Sequence, residues 1–401
     1  MQNIEVAEVP ITPATKEEII EVLKNRLKDK ERTFIITPYS EFIYAAFQND
    51  ETRDLFKRAH ISIADGIGVF VAEKFLRIPL KASSFYGKIL ESLSQLLSVL
   101  VSVVLNPKSL YKTIPEKIVG ADFLWEVIKI AEQENLSLFL LGGFGDTPNE
   151  VALRIKEKYP QINIVGYSNK GPHDPEVINE LARAKPDVLF VAYGPIAQER
   201  FIVETQNKTH WLIAMGVGGT FDYISGNVSS PGGFLRRRGL EWVFRLFTQK
   251  KRAKRIWNAT AGLLECLLRY KVYESMPYRK NAIACIIKGE KILICKRKPL
   301  SDAQFGMSFQ DYWQLPQGGI EAGEEIAHSA SREALEETGL TNLKLLGISK
   351  QIFSYKWRNA RRPLLKHPFL KKYRFKGQEQ SIVYFENVGN EDEVILDNRE
   401  F

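Results

Sequence analysis

The chain has 401 residues, 44% of them hydrophobic and 26% charged, with a formal charge of +8. That length predicts two domains, and the composition supports real cores rather than disorder. The positive balance favours anionic partners such as phosphates, nucleic acid or an acidic membrane face. Cys266, Cys285 and Cys295 are odd in number and lack metal-ligand spacing. They read as reduced thiols of a cytosolic protein, which excludes a disulfide scaffold and a structural zinc site. The acidic N-terminus shows no signal-peptide core.

In chain order, Thr15 and Glu18 form a predicted capping box ahead of a helix with Ile19, Ile20, Leu23 and Leu27 on one face. Strands are predicted at 33–37 and 61–63, then a helix ending near Leu76. The apolar stretch Ile89–Leu105 follows. At 17 residues, with Glu91 and Gln95 inside it, it falls short of the roughly 20 a spanning helix needs. A packed or membrane-contacting helix is expected there, either as a lid or as a membrane foot. Alternation then resumes: helix 121–131, strand 136–141, helix 150–158, strand 162–165, helix 175–184, strand 188–192, helix 198–206 and strand 211–215. Such alternation predicts an α/β domain with a largely parallel sheet.

Ligands gather at the carboxyl ends of parallel strands. Those ends carry Thr37-Pro38-Tyr39, Asp65-Gly66, Gly142-Gly143, Tyr193-Gly194 with Gln198-Glu199, and Gly216 to Gly219 followed by Asp222. Glycine turns that open helices offer backbone N–H groups to phosphate. Asp65 has two readings, a catalytic carboxylate or the N-cap of the following helix.

The pieces ADGIGVFVAEKF, KIVGADFLWEVI, LFLLGGFGDTPNEVA, KPDVLFVAYGPIAQERFI and GVGGTFDYISGNVSSPGGFLRRRGLEWVFRL, in that order, resemble the WecB/TagA/CpsF glycosyltransferases over about residues 15–257. The resemblance implies a Rossmann-like domain. It would move an N-acetylmannosamine-type sugar from a UDP-sugar to a polyprenyl-diphosphate-linked sugar, without a metal cofactor. It also implies Asp65 as general base. Thr37, Tyr39, Gly66, Lys117, Gly142, Gly143, Tyr193, Gly194, Gln198, Glu199, Gly218, Gly219, Asp222, Arg237 and Arg238 are the expected substrate-binding positions. Tyr39 stands where the family usually has asparagine, Ile196 where it has proline, and Lys117 where arginine is common. These departures leave the donor sugar open.

Between Arg236 and Arg255 nine arginines and lysines are interleaved with Leu240, Trp242, Phe244 and Phe247. That composition predicts a helix on an anionic bilayer, each cation contributing about 1 kcal/mol; nucleic acid is the rival partner. The expected place of action is the inner face of the cell membrane, and a homo-oligomer is left open.

From about residue 279 the pattern changes. Strands 281–287 and 291–296 flank a Lys288-Gly289-Glu290 turn, a predicted hairpin. Gly318, Glu324, Arg332, Glu333, Glu336, Glu337 and Gly339 then fit the Nudix box. Glu333, Glu336 and Glu337 fall at i, i+3 and i+4, one helical face, and unneutralised they repel. Mg²⁺ or Mn²⁺ bound there would remove that repulsion and hold substrate phosphates, with Glu336 and Glu337 in catalytic roles. Arg332 is expected to brace the carboxylates and His328 to face solvent. The resemblance, to RNA and dinucleoside-polyphosphate Nudix hydrolases, implies an α/β/α fold and a nucleoside polyphosphate or RNA 5′ end as substrate. The basic run 356–376 would guide it. The fold is expected to lack its final helix at the C-terminal end.

The predicted organisation is a glycosyltransferase domain at 1–232 with an insertion at 83–117, a basic helical appendage and linker at 233–278, and a Nudix domain at 279–401. Two alternatives stay open: a lipid-sugar-binding first domain whose only enzyme is the Nudix unit, and an RNA-end pyrophosphohydrolase on a basic platform.

Overall fold

A computed structural model describes residues 2–226, 258–297, 312–356, 375–390 and 393–396. The chain divides into two compact units, Met1–Lys271 and Val272–Phe401. The basic 236–255 segment, with Arg237 and Arg238, lies outside the described residues, as does 357–374 of the later basic run.

The first unit opens with β1 (Ile4–Val6) and β2 (Val9–Ile11), an antiparallel hairpin. Its turn residues Ala7 and Glu8 both have positive φ, 51° and 67°. Such a turn normally takes Asn-Gly, so no sequence signal announces it. Glu8 is fixed by an ion pair to the buried Arg53, 3.1 Å away. The hairpin clips onto the sheet: the Thr12 N–H donates to the Ser62 carbonyl at 2.8 Å, and the Ser62 N–H donates to Thr12 Oγ1 at 2.9 Å.

Helix α1 (Lys16–Lys28) begins at the expected capping box. The Thr15 N–H donates to Glu18 Oε2 at 2.8 Å, and the Glu18 N–H to Thr15 Oγ1 at 3.3 Å. Removing the hydroxyl leaves one helix N–H without its partner. Thr15→Ala is therefore expected to lower stability by about 1 kcal/mol, read as a shift in the urea midpoint at unchanged slope.

Then follow β3 (Thr33–Ile36), α2 (Ser40–Gln48), α3 (Asp50–Phe56), β4 (Ile61–Ser62), α4 (Ile67–Arg77), α5 (Phe85–Leu105), α6 (Gly120–Gln133) and β5 (Ser137–Gly142). After these come α7 (Thr147–Lys158), β6 (Asn163–Ser168), α8 (Pro175–Ala184), β7 (Val188–Ala192), α9 (Ala197–Thr205), β8 (Ile213–Gly216) and α10 (Thr220–Ile224). The six strands β3 to β8 form one sheet in the order β4-β3-β8-β7-β5-β6, every pairing parallel. Helices cover the sheet, so central strands such as β7, Val-Leu-Phe-Val-Ala, read as continuous apolar runs. Phe123, Leu124, Val127, Leu140, Phe190, Ile213 and Met215 anchor the core. The short helices α2 and α3 were not anticipated.

Helix α5 departs from expectation in length. Ser84 caps it, its Oγ accepting the Gly87 N–H at 3.1 Å, and Phe85 to Lys88 add a turn ahead of the apolar run. The result is 21 residues, long and apolar enough to cross a membrane by length and composition. A helix α11 (Leu263–Glu274) follows the undescribed segment, and its Tyr270 ring meets Phe47 edge-on.

The second unit contains β9 (Arg279–Lys288), β10 (Lys291–Ile292), β11 (Cys295–Arg297), β12 (Tyr312–Gln314), β13 (Gln317–Gly319), α12 (Ile326–Thr338), β14 (Leu343–Lys356) and β15 (Gly377–Asn387). β9 and β10 form the expected hairpin, with Gly289 at φ 58°. β9 pairs parallel with β15 and antiparallel with β13, giving a mixed sheet. Helix α12 packs Ala330 and Ala334 against Ala282, Ala284 and Val383. It is the one helix lying wholly within this unit among the described residues.

Candidate functional site

In the first unit the candidate residues meet at the carboxyl end of the parallel sheet. Thr37 directly follows β3 and Asp65 lies three residues past the end of the adjacent strand β4. Asp65 is tied to Thr37's loop, its N–H donating to the Pro38 carbonyl at 2.8 Å. The N-cap of α4 is Gly66, at φ 88°, rather than Asp65. Asp65 Oδ2 accepts the Gly120 N–H at 3.2 Å from the first turn of α6. A methyl group on Gly120 would sit 3.1 Å from Thr37 Cγ2 and 3.2 Å from Asp65 Oδ2. Thr37, Asp65 and Gly120 thus converge on one point, held by backbone from three elements. Tyr39 packs beside them, its Cβ 3.5 Å from where a Gly66 side chain would begin. Its hydroxyl donates to Glu41 at 2.8 Å. Lys117 is half-buried just ahead of α6.

The neighbouring strands contribute glycine turns. Gly142 and Gly143, after β5, have φ of 91° and 92°, and Gly218, after β8, has φ 48°. These values suit glycine and let backbone approach a ligand. Asp222 lies on α10, its carboxylate next to Gly219. Gly194, at φ 82°, follows β7. Tyr193 directs its hydroxyl to the Lys170 carbonyl at 2.8 Å and its ring edge-on to Phe201. It braces the loop after β6.

Gln198 and Glu199 sit differently from the expectation of direct substrate contact. They are 3% and 0% exposed. Gln198 Oε1 accepts the Gly218 N–H at 2.9 Å, and its Nε2 donates to Glu199 Oε1 at 2.7 Å. Glu199 Oε2 accepts the Ile196 N–H at 2.6 Å. The pair lies under the glycine turn and positions it, and a side chain at Gly216 would collide with both. Sequence reasoning found the residues but not their depth, because strand-end position says nothing of burial. Ile196 itself takes φ 72°. A proline, fixed near −65°, could not adopt this backbone.

Burial pushes the Glu199 carboxyl up to about 7, against the hydrogen bonds from Gln198 and Ile196. The folded protein therefore keeps a proton that the unfolded chain releases above the ordinary carboxyl value of 4.5. The associated stability is full below that unfolded value and is lost as pH rises through about 7. The urea midpoint should accordingly fall between about pH 5 and pH 8. Glu199→Gln, which cannot ionise, should flatten that fall while lowering the midpoint by loss of one acceptor. A wild-type slope no steeper than that of the variant would contradict this.

In the second unit Arg332 is the hub. Its Nε donates to Glu324 at 3.0 Å, one terminal nitrogen to Glu333 at 2.7 Å and Glu336 at 3.3 Å, and the other to the Gly319 carbonyl at 3.1 Å. The arginine braces the carboxylates, as expected. Glu324 is drawn down to about 2, first by Arg332 and then by the backbone N–H of Glu321. This lead-in acid serves as the arginine's anchor. His328 is exposed, yet its Nδ1 lies 3.1 Å from Glu324. Glu337 is buried and accepts the Gln317 N–H at 3.1 Å. Gly318 leaves the space that the Glu333 carboxylate fills, and Gly339 ends α12 at φ 71°. Burial pushes the neighbouring Cys295 thiol up to about 11, with a further contribution from Glu337.

The donor set suits a hard divalent cation: three carboxylates on one helical face, one cradled by a side-chain-free glycine. Among the described residues no three acidic, His or Cys side chains are placed together to hold a metal ion, and Arg332 engages Glu333 and Glu336. A metal would compete with the guanidinium for them.

Residues 4–99 and 86–276 match the model of the glycosyl transferase WecG/TagA/CpsF family, and 277–401 that of the NUDIX domain. Among curated proteins, an N-acetylglucosaminyldiphosphoundecaprenol N-acetyl-beta-D-mannosaminyltransferase of Bacillus subtilis is 28% identical over 273 residues, covering 68% of this chain and 93% of that protein. The Staphylococcus aureus (strain NCTC 8325 / PS 47) enzyme of the same description is 25% identical, covering 56% of this chain and 75% of its own. Among solved structures, a MutT protein from Methanosarcina mazei Go1 aligns at 19% identity and TM-score 0.21, covering 32% of this chain and 75% of its own.

Proposed function

Since the chain belongs to the glycosyl transferase WecG/TagA/CpsF family and carries a NUDIX domain, we propose that its first unit moves an N-acetylmannosamine-type sugar from a UDP-sugar to a polyprenyl-diphosphate-linked sugar, with inversion. The setting is cell-envelope polymer synthesis at the inner face of the membrane. The observation that supports this reading is the Asp65 carboxylate, held by the Gly120 N–H and placed beside Thr37 at the strand ends.

The chemistry needs a base. A sugar hydroxyl attacks poorly until its proton is removed, and a positioned carboxylate takes that proton as the oxygen meets the anomeric carbon. The anomeric carbon–oxygen bond to UDP breaks as the new glycosidic bond forms, and Asp65 keeps the proton. The leaving diphosphate collects negative charge. Backbone N–H groups of the turns at Gly142-Gly143 and Gly218-Gly219 would receive it, the second held in place by Gln198. Lys117 supplies a cation without the bidentate fork of an arginine.

The second unit is proposed to hydrolyse a nucleoside diphosphate joined to another group. Glu333, Glu336 and Glu337 would hold Mg²⁺ or Mn²⁺, which when bound neutralises substrate phosphates and lowers the pKa of attacking water. Arg332 offsets the repulsion between Glu333 and Glu336 by pairing with both. The deciding experiment for the whole reading is UDP release from a panel of UDP-sugars with a lipid-diphosphate acceptor. Absence of release from UDP-N-acetylmannosamine, with binding of the acceptor retained, would instead mean a lipid-sugar-binding unit.

A further inference from the structure

Helix α5 is built inside out for a surface helix, which normally turns its polar side to water. Glu91, Ser92, Gln95 and Ser102 are turned to the protein, while Ser94 and Ser98 are exposed. The Glu91 carboxylate accepts the Lys81 N–H at 2.9 Å and the Ala82 N–H at 2.8 Å. Gln95 donates to the Pro79 carbonyl at 3.0 Å and accepts from the buried Lys271, which also donates to the Phe75 carbonyl. Ser102 accepts from Lys74 of α4 at 2.7 Å. Ser92, Leu96 and Val99 are buried with them.

The outward face is mainly apolar, with Ser94 and Ser98 as its exposed polar residues. Tyr86, Leu90, Leu93, Leu97, Val101 and Val104 repeat every three or four residues, the spacing of one helical stripe. Leu90, Leu97 and Val104 are 68%, 65% and 76% exposed. A stripe of that length is more than scattered surface leucines, and it marks a surface that meets something apolar.

Charge says what that is. Residues 81–117 contain Lys81, Lys88, Lys108, Lys112 and Lys117 against Glu91 and Glu116, and Glu91 is turned inward. Lys81, Lys108 and Lys112 are exposed at the two ends of the stripe. An apolar stripe between cations matches the layering of acyl chains beneath anionic headgroups. The inward bonds decide the pose. A spanning helix would have to abandon Lys74, Lys271 and the backbone at 79–82, whereas a helix lying flat keeps them all.

We propose that α5 lies flat in the interface of an anionic phospholipid leaflet, with the stripe from Tyr86 to Val104 among the acyl chains. This rests on the lipid-linked acceptor proposed above. α4 starts two residues after Asp65 and packs on α5 through Lys74, so a single helix joins the docked surface to the proposed catalytic strand end.

The test uses the full chain with vesicles of phosphatidylcholine containing phosphatidylglycerol. Wild type should float with them, and a Leu90→Glu/Leu97→Glu pair should bind at least about tenfold more weakly, with unchanged thermal melting. In Leu97→Trp, brominated acyl chains should quench fluorescence beyond the wild-type level. Equal flotation of the pair and the wild type would overturn the proposal and leave the 236–255 segment as the anchor. So would Leu97→Trp quenched no more than wild type. A dimer dispersed by Leu97→Glu with flotation intact would assign the face to a second copy. A short-chain, water-soluble acceptor separates this from the reaction itself. The pair should use it as wild type does, while losing transfer to acceptor in vesicles. Failure of wild type with the soluble acceptor would count against the transfer reaction, and quenching would still decide α5.

Discussion

Asp65→Asn is expected to lower kcat for sugar transfer by about 10²–10⁴-fold, the usual worth of a positioned general base, with KM nearly unchanged. Asparagine keeps an oxygen to accept the Gly120 N–H, so the contact that fixes the side chain survives. The packing against Thr37 survives too, since the two side chains are nearly the same size. What is lost is the capacity to take a proton in the transition state, and such a loss falls on kcat. UDP release measured at saturating acceptor reads it directly. Equal release by both proteins would remove Asp65 as the base. An increase in KM alone would make it a binding group.

The second large effect belongs to the other unit. Glu333→Gln or Glu337→Gln is expected to reduce pyrophosphohydrolase activity by about 100-fold or more, above the 10–100-fold typical of groups that only support a metal ligand. Chelation should abolish the activity, and added Mg²⁺ or Mn²⁺ should restore it. The fold should survive chelation, because Arg332 already bridges Glu324, Glu333 and Glu336. Circular dichroism that collapsed on chelation would show the cation to be structural instead. Full activity of Glu333→Gln would place the metal elsewhere.

Much of this architecture could be read before any coordinates. Parallel strands buried on both faces are apolar runs, and 188–192 and 175–184 coincide with β7 and α8. The capping box at Thr15 stands as the residue pattern required. What escaped depends on tertiary context. The turn at Ala7-Glu8 takes positive φ without glycine because Arg53, far along the chain, secures Glu8. The true length of α5 turns on the cap at Ser84, which periodicity does not register. Asp65 illustrates the limit at the site. Residue type allowed base or cap, and the contact that places the carboxylate is a backbone N–H at Gly120, fifty-five positions away.

The N-terminal hairpin matters beyond its own six strand residues. β4 is an edge strand only two residues long, and it leads directly to Asp65. Away from β3, the segment Pro10 to Thr12 is joined to it through Ser62. The first dozen residues are therefore a buckle on the strand that leads to the proposed base. Trimming them to tidy an unremarkable-looking leader would loosen catalysis from behind, without touching any group that meets a sugar.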